Sequence, residues 1–155
     1  MTLLPLDSSG GAWSVSAAAV VTSHDRVLAI QRRDNQEWQI PGGVLDFGES
    51  AFEACFREVF EETGLSVSVE TLTGLYQNVR RNIVALVFSA VPLPGSQLLA
   101  ESDECSAIAW LSIEECRQRM SSVFFKRVED AFSATNGSVV YRLHDGKTWL
   151  RSFPA

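Results

Sequence analysis

Three glutamates, Glu58, Glu61 and Glu62, are spaced for one face of a helix. At ~3.6 residues per turn, positions three and four apart are neighbours, so their carboxylates form a short acidic row. Like charges at that spacing cost about 0.2–0.5 kcal/mol per pair. Glu61 and Glu62 also fall at the expected helix C-terminus, where the dipole disfavours anions. Two local rules broken in one place mark a site where something else compensates. A hard divalent cation does so, because Mg²⁺ takes carboxylate oxygens. The competing reading is a solvated acidic face, and spacing alone leaves both open.

The flanks favour the cation. Gly42-Gly43 lets the backbone turn sharply and offers unshielded carbonyls or amides. Arg57 sits among the acids and can pair with Glu53, with Glu61, or with Glu49 if the preceding loop folds back. An arginine in that position orients ligands rather than holding the ion itself. A later loop, Glu101-Ser102-Asp103-Glu104, is a candidate source of a supplementary carboxylate, with Glu104 the best placed. A solvated turn explains that loop equally simply. Trp38 can stack on a nucleobase or pack beside the glycine pair. Tyr76, Arg80 and Arg81 fall where a substrate would lie, with the basic pair able to meet phosphates, or else they flank a polar hairpin tip at Gln77-Asn78. His24 and His144 read as structural turn residues, and Cys55 as a small core residue.

The elements that must carry these residues can be read in outline. Residues 13–21 and 27–31 form strands around a turn at His24-Asp25. Residues 40–43 break regular structure. Residues 50–63 form the acidic helix, which stops at Gly64. Phe52, Cys55, Phe56, Val59 and Thr63 supply its core stripe. Residues 67–76, 82–91 and 107–111 are strands. Ser112 to Glu115 is a capping-box pattern that opens a helix to about Met120, and residues 122–132 form another. The chain closes with a hairpin around residues 144–147. Mixed strands and helices without strict alternation indicate an α+β layered domain.

Composition sets the limits. The chain has 155 residues, 46% hydrophobic and 21% charged, which suits one globular domain with a single core. Residues 1–12 read as a flexible leader and 13–155 as the domain. Thirteen Lys and Arg against nineteen Asp and Glu give a net charge of −6, which disfavours a duplex nucleic-acid partner. Three cysteines without a CxxC pair point to a reducing compartment, and with no basic n-region the expected location is the cytoplasm. No apolar run is long enough to span a membrane.

At this point the residues match a known pattern. Gly43, Glu49, Arg57-Glu58-Val59, Glu61-Glu62 and Gly64-Leu65 fill every fixed position of the Nudix box, GX5EX7REUXEEXGU, across residues 43–65. The upstream residues 38–43 and the strand-to-helix step at residues 107–115 are similar to MutT-like members. The likeness extends over roughly residues 13–135, and the final hairpin lies outside it. The resemblance implies an α/β/α sandwich around a mixed sheet with a loop–helix–loop catalytic motif. It implies Mg²⁺-dependent hydrolysis of a nucleoside diphosphate linked to another group, with Mn²⁺ as a substitute. Glu58, Glu61, Glu62 and the Gly42 carbonyl correspond to the metal ligands, and Glu49 and Arg57 to the pair that orients loop and helix. The general base is Glu58, Glu61 or a carboxylate on a later loop such as Glu104.

The expected partner is a small nucleotide. Gly74 to Arg81 lacks the proline of ADP-ribose-type enzymes, so nucleoside triphosphates, oxidised ones included, are favoured over nucleotide sugars and dinucleotides. A non-catalytic nucleotide sensor and a scaffold with an incidentally acidic helix are the readings from other classes. A homodimer fits the family, with Val123-Phe124-Phe125 serving either an interface or the core.

Overall fold

The computed structural model describes residues 11–134 and 137–153. Most of the leader assigned to residues 1–12 lies outside the described residues. Gly11 and Ala12 are exposed and precede the first strand.

Strands β1 (Ser14–Ser23) and β2 (Arg26–Arg32) are joined by His24 and Asp25. Their φ values of 47° and 61° form a two-residue turn whose twist suits a hairpin. Two short strands follow, β3 (Trp38–Gln39) and β4 (Gly42–Val44), then helix α1 (Ala51–Thr63). The expected break at residues 40–43 is narrower than the sequence indicates. Ile40-Pro41 separates the short strands, and Gly42 to Val44 pair antiparallel with Ala18 to Ser16. Strands β5 (Val67–Asn78), β6 (Ile83–Pro92) and β7 (Cys105–Ser112) come next, then helices α2 (Ile113–Arg119) and α3 (Ser122–Ser133). Strands β8 (Val140–His144) and β9 (Trp149–Phe153) end the described chain.

The strands form one mixed sheet in the order β3-β2-β1-β6-β5-β8-β9, with β4 on β1 and β7 on β2. β1 runs parallel to β6, and β5 parallel to β8; the other pairs are antiparallel. β1 is the spine. Ala17, Ala19 and Val21 face the layer that holds Cys55 and Val59 of α1. Ala18 and Val20 face the opposite layer, with Phe125 and Val128 of α3. A strand buried on both faces reads as a continuous apolar run, as this one does. Helices on both sides of a mixed sheet make the α+β sandwich that the sequence implies.

One expectation changes. On α1 the buried stripe is Ala54, Cys55, Val59, Glu62 and Thr63, whereas Phe52 and Phe56 are half exposed. Positions 55, 59 and 63 follow the i, i+4 spacing and point at β1. The aromatic positions fall to the side, and Phe52 keeps one ring contact with Phe88 at 4.7 Å. In α3, Val123 and Phe125 are buried, as the core reading of this stretch expects.

Candidate active site

Helix α1 starts at Ser50, whose hydroxyl caps the Glu53 N–H while the Glu53 carboxylate accepts the Ser50 N–H at 2.7 Å. That capping box engages Glu53 and leaves Arg57 to other acids. Arg57 Nε and Nη2 donate to the two oxygens of Glu49 at 3.0 and 2.6 Å. Nη1 donates to Glu58 Oε1 at 2.8 Å and to Glu61 Oε2 at 3.2 Å. Nη2 also reaches the Val44 carbonyl at 3.2 Å. The planar fork of a guanidinium is what allows one side chain to hold this many oxygens. The loop does fold back: Glu49 accepts the Asp46 N–H at 2.6 Å as well. Arg57 and that N–H hold the Glu49 carboxyl below its ordinary range.

The other end of α1 is fixed by Glu62. Its Oε2 accepts the backbone N–H of Gly42 at 2.9 Å, and the residue is 4% exposed. Burial pushes its carboxyl up to about 8, with the Gly42 N–H pulling the other way. Burial raises Glu58 as well, and Arg57 opposes the rise. The glycine pair permits this close approach. A Cβ on Gly42 would lie 2.5 Å from the Ala17 carbonyl oxygen and from the Ala18 Cβ. A Cβ on Gly43 would run into the Glu58 carboxylate.

Glu58, Glu61 and Glu62 line one cavity of about 470 Å³ together with Ser102, Asp103 and Glu104. The later loop is brought there by Arg33. Its backbone N–H donates to the Glu104 carbonyl at 2.8 Å, and its Nη2 donates to Glu101 and to the Ser102 carbonyl at 2.8 and 2.9 Å. The three helix glutamates differ in setting. Glu58 and Glu62 are largely covered, while the Glu61 side chain is 58% exposed.

A second cleft of about 460 Å³ lies beside Gly42 and Gly43 on the α3 side of the sheet. Arg81 lines it, with Arg80 and Lys147. The expectation of a polar substrate contact from Tyr76 is corrected. Its side chain is fully buried in the cleft wall, and its hydroxyl donates to Asp130 at 2.8 Å. Trp38 lines neither cavity. It packs against the core on the α3 side beneath Arg119, whose guanidinium carbon is 5.5 Å from the ring centre.

This geometry stands beside three comparisons. The profile of the NUDIX domain matches residues 12–130. A MutT-like protein of Streptomyces ambofaciens is 46% identical over 135 residues, covering 86% of this chain and 85% of that one. The chain belongs to the NUDIX family. A Bacillus subtilis (strain 168) protein whose provisional name is 8-oxo-dGTP diphosphatase is 34% identical over 94 residues, 60% of this chain and 62% of its own. A solved structure of a NUDIX hydrolase from Nitrosomonas europaea superimposes with a TM-score of 0.67 at 29% identity, covering 78% of this chain and 89% of that one. The enzyme is therefore a Nudix pyrophosphohydrolase. Among the described residues no helix is long and apolar enough to cross a membrane.

Nudix hydrolases generally use divalent metal ions. The donor set here fits one: hard carboxylate oxygens, two of them on side chains whose charged form burial disfavours and a cation would stabilise. Among the described residues no three acidic side chains are already drawn together at ligand spacing. Arg57 holds one oxygen each of Glu58 and Glu61, which leaves the other oxygen of each carboxylate to the cavity.

Three cleft residues escape the sequence reading. Arg127 is buried on α3, His144 is buried at the end of β8, and Lys147 lies in the hairpin beyond the matched region. An arginine among the apolar positions of α3 is the signal that was available for the first. The other two depend on β8 pairing with β5, a contact between distant segments.

Proposed function

We propose that this Nudix enzyme is a Mg²⁺-dependent pyrophosphohydrolase of nucleoside triphosphates, oxidised ones included, with Mn²⁺ able to replace Mg²⁺. One observation carries the proposal. The acidic cavity and the basic-rimmed cleft flank the same glycine pair, with Glu62 bonded to Gly42 and Glu58 against Gly43. A nucleotide whose base lies in the cleft would present its phosphates to the glutamates.

Glu58, Glu61, Glu62 and the Gly42 carbonyl would hold the metal. When bound, a divalent ion supplies positive charge for the phosphate oxygens and acidifies water. Glu58 or Glu61 takes the proton from the attacking water, and Glu104 adds a further carboxylate from the opposite wall. Arg57 and Glu49 position this set rather than touching substrate. Arg81 meets phosphate oxygens at the rim. The name of the Bacillus subtilis relative supports an oxidised triphosphate, and the absence of proline from Gly74 to Arg81 supports triphosphates over ADP-ribose.

The test is a panel of nucleoside triphosphates, nucleotide sugars and dinucleotides incubated with Mg²⁺, with products separated by anion exchange. Triphosphates converted to monophosphate and pyrophosphate are the expected result. Turnover confined to nucleotide sugars or ADP-ribose replaces the substrate class. Binding without turnover would make the protein a sensor.

A further inference from the structure

Arg127 is 8% exposed and lines the cleft, yet it has no counterion among the described residues. Its Nε is covered and finds no hydrogen-bond partner among the described residues. The nearby acid does not serve it. Asp130 accepts Arg142 at 2.5 and 2.6 Å and the Tyr76 hydroxyl at 2.8 Å. What Arg127 touches instead is aromatic: its guanidinium carbon is 4.7 Å from the Phe124 ring centre and 5.1 Å from that of Tyr76. Rings engage the guanidinium faces, and its Nε–H is left without a partner among the described residues. A buried cation without a partner is costly, and a native fold keeps one where a ligand completes it.

A second unpaired group lies in the same cleft. His144 Nδ1 accepts the Gly146 N–H at 3.1 Å, so the proton of the neutral imidazole sits on Nε2. That Nε2 is buried with no acceptor among the described residues. Both unpaired groups are therefore donors. Ala18, Ile40, Ala85 and Val123 give the cleft one apolar wall, which suits a flat ring, beside the polar and charged residues Asn78, Arg80, Arg81, Asp145 and Lys147. The phosphates have their place at the other end, beside the glycine pair.

We infer that Arg127, backed by His144, reads the acceptor edge of a 6-oxopurine base, so that the cleft selects hypoxanthine- and guanine-bearing nucleotides over adenine-bearing ones. This rests on the nucleotide-hydrolysis reading above. An arginine edge can give its N–H groups to the O6 lone pairs of such a base, a contact that remains when an 8-oxo group places a proton on N7. The 6-amino group of adenine would set donor against donor and leave both unpaired.

Inosine and adenosine nucleotides differ only at position 6 and in the N1 proton, which makes them the probes. kcat/KM for the two triphosphates is measured with Mg²⁺ in the wild type, Arg127→Met and Arg127→Lys. Binding of the two monophosphates is measured by calorimetry without metal. The wild type is expected to prefer inosine about tenfold or more in both assays. Arg127→Met should bring the preference within twofold and leave the melting temperature unchanged or higher, because an unpaired buried charge is removed. Arg127→Lys keeps a cation without the fork and should also lose most of the preference. Equal treatment of both bases by the wild type overturns the inference. So does an equal loss for both in the variants, which would assign Arg127 to phosphate or to structure. The monophosphate arm decides the base reading even where neither triphosphate is cleaved, so the two readings fail separately.

Discussion

The Glu62 carboxylate and the Gly42 backbone N–H, twenty residues apart in sequence, meet at 2.9 Å and join the end of α1 to strand β4. A buried acid thus fixes the strand that separates the acidic cavity from the cleft. The neighbouring pair, Glu58 and Gly43, is in contact without a hydrogen bond of that kind. The two glycines therefore do different work, and single alanine substitutions should separate it.

In Gly42→Ala the new methyl meets backbone and the Ala18 Cβ, which cannot move aside. A loss of about 2 kcal/mol or more in stability is expected, seen as a lower denaturant midpoint. In Gly43→Ala the methyl meets the end of a flexible side chain, so the Glu58 carboxylate swings away at small cost. The expected result is near wild-type stability with a large fall in turnover. Equal destabilisation in both would show that the Gly43 contact is structural.

Glu58→Gln tests the carboxylate row directly. Glu58 is desolvated and repelled by Glu61 and Glu104 in the metal-free protein. Removing its charge should leave the metal-free melting temperature unchanged or raised. Turnover should fall by orders of magnitude, on the order of 100-fold or more, because general-base or ligand function is lost. The stabilisation that millimolar Mg²⁺ gives the wild type should shrink in parallel. A folded variant with near wild-type rate removes Glu58 from the chemistry.

Arg57→Lys keeps the charge and loses the fork. One ammonium cannot hold Glu49, Glu58, Glu61 and the Val44 carbonyl together. Partners that orient metal ligands typically matter about 10–100-fold. The Mg²⁺ concentration for half-maximal activity should therefore rise by about that factor, more than the substrate KM does. A change in substrate KM alone would place Arg57 against substrate instead.

Much of this was legible in the sequence because it is local. The capping box at Ser50 and Glu53, the stop at Gly64 and the turn at His24-Asp25 are set by residues within a few positions of each other. The Arg57 contacts to Glu49 and Glu61 follow from helical spacing and one folded-back loop. What depends on distant segments was not legible. The inward turn of Glu62 needs the Gly42 N–H as its partner. Phe52 and Phe56 lie outside because β1 meets the face defined by Cys55 and Val59. Tyr76 is committed to Asp130, 54 residues away. The cleft wall made by His144 and Lys147 exists only because β8 adds to β5.

The last prediction concerns pH. His144 is 2% exposed, and burial, with the nearby Arg127 charge, lowers its imidazole to about 4 from 6.5; Asp145 opposes that weakly, and the Trp149 ring packs edge-on. The unfolded chain takes a proton near pH 6.5, whereas the folded chain waits until about 4. Between those values the unfolded state holds more protons, so this residue's contribution to stability is complete above pH 6.5 and is lost as pH falls toward 4. Its ceiling is about 3 kcal/mol. Glu62, pushed up to about 8 from 4.5, works in the opposite direction across much of the same range, so the wild-type profile alone is uninformative. Asp145, lowered to about 2 from 3.8, acts below the window. The difference between wild type and His144→Gln, measured by urea unfolding without divalent ions, cancels the shared terms. Wild type should lose stability relative to the variant as pH drops from 6.5 to 4.5. A difference that stays flat over that range would show that His144 is protonated in the folded protein as readily as in the unfolded chain.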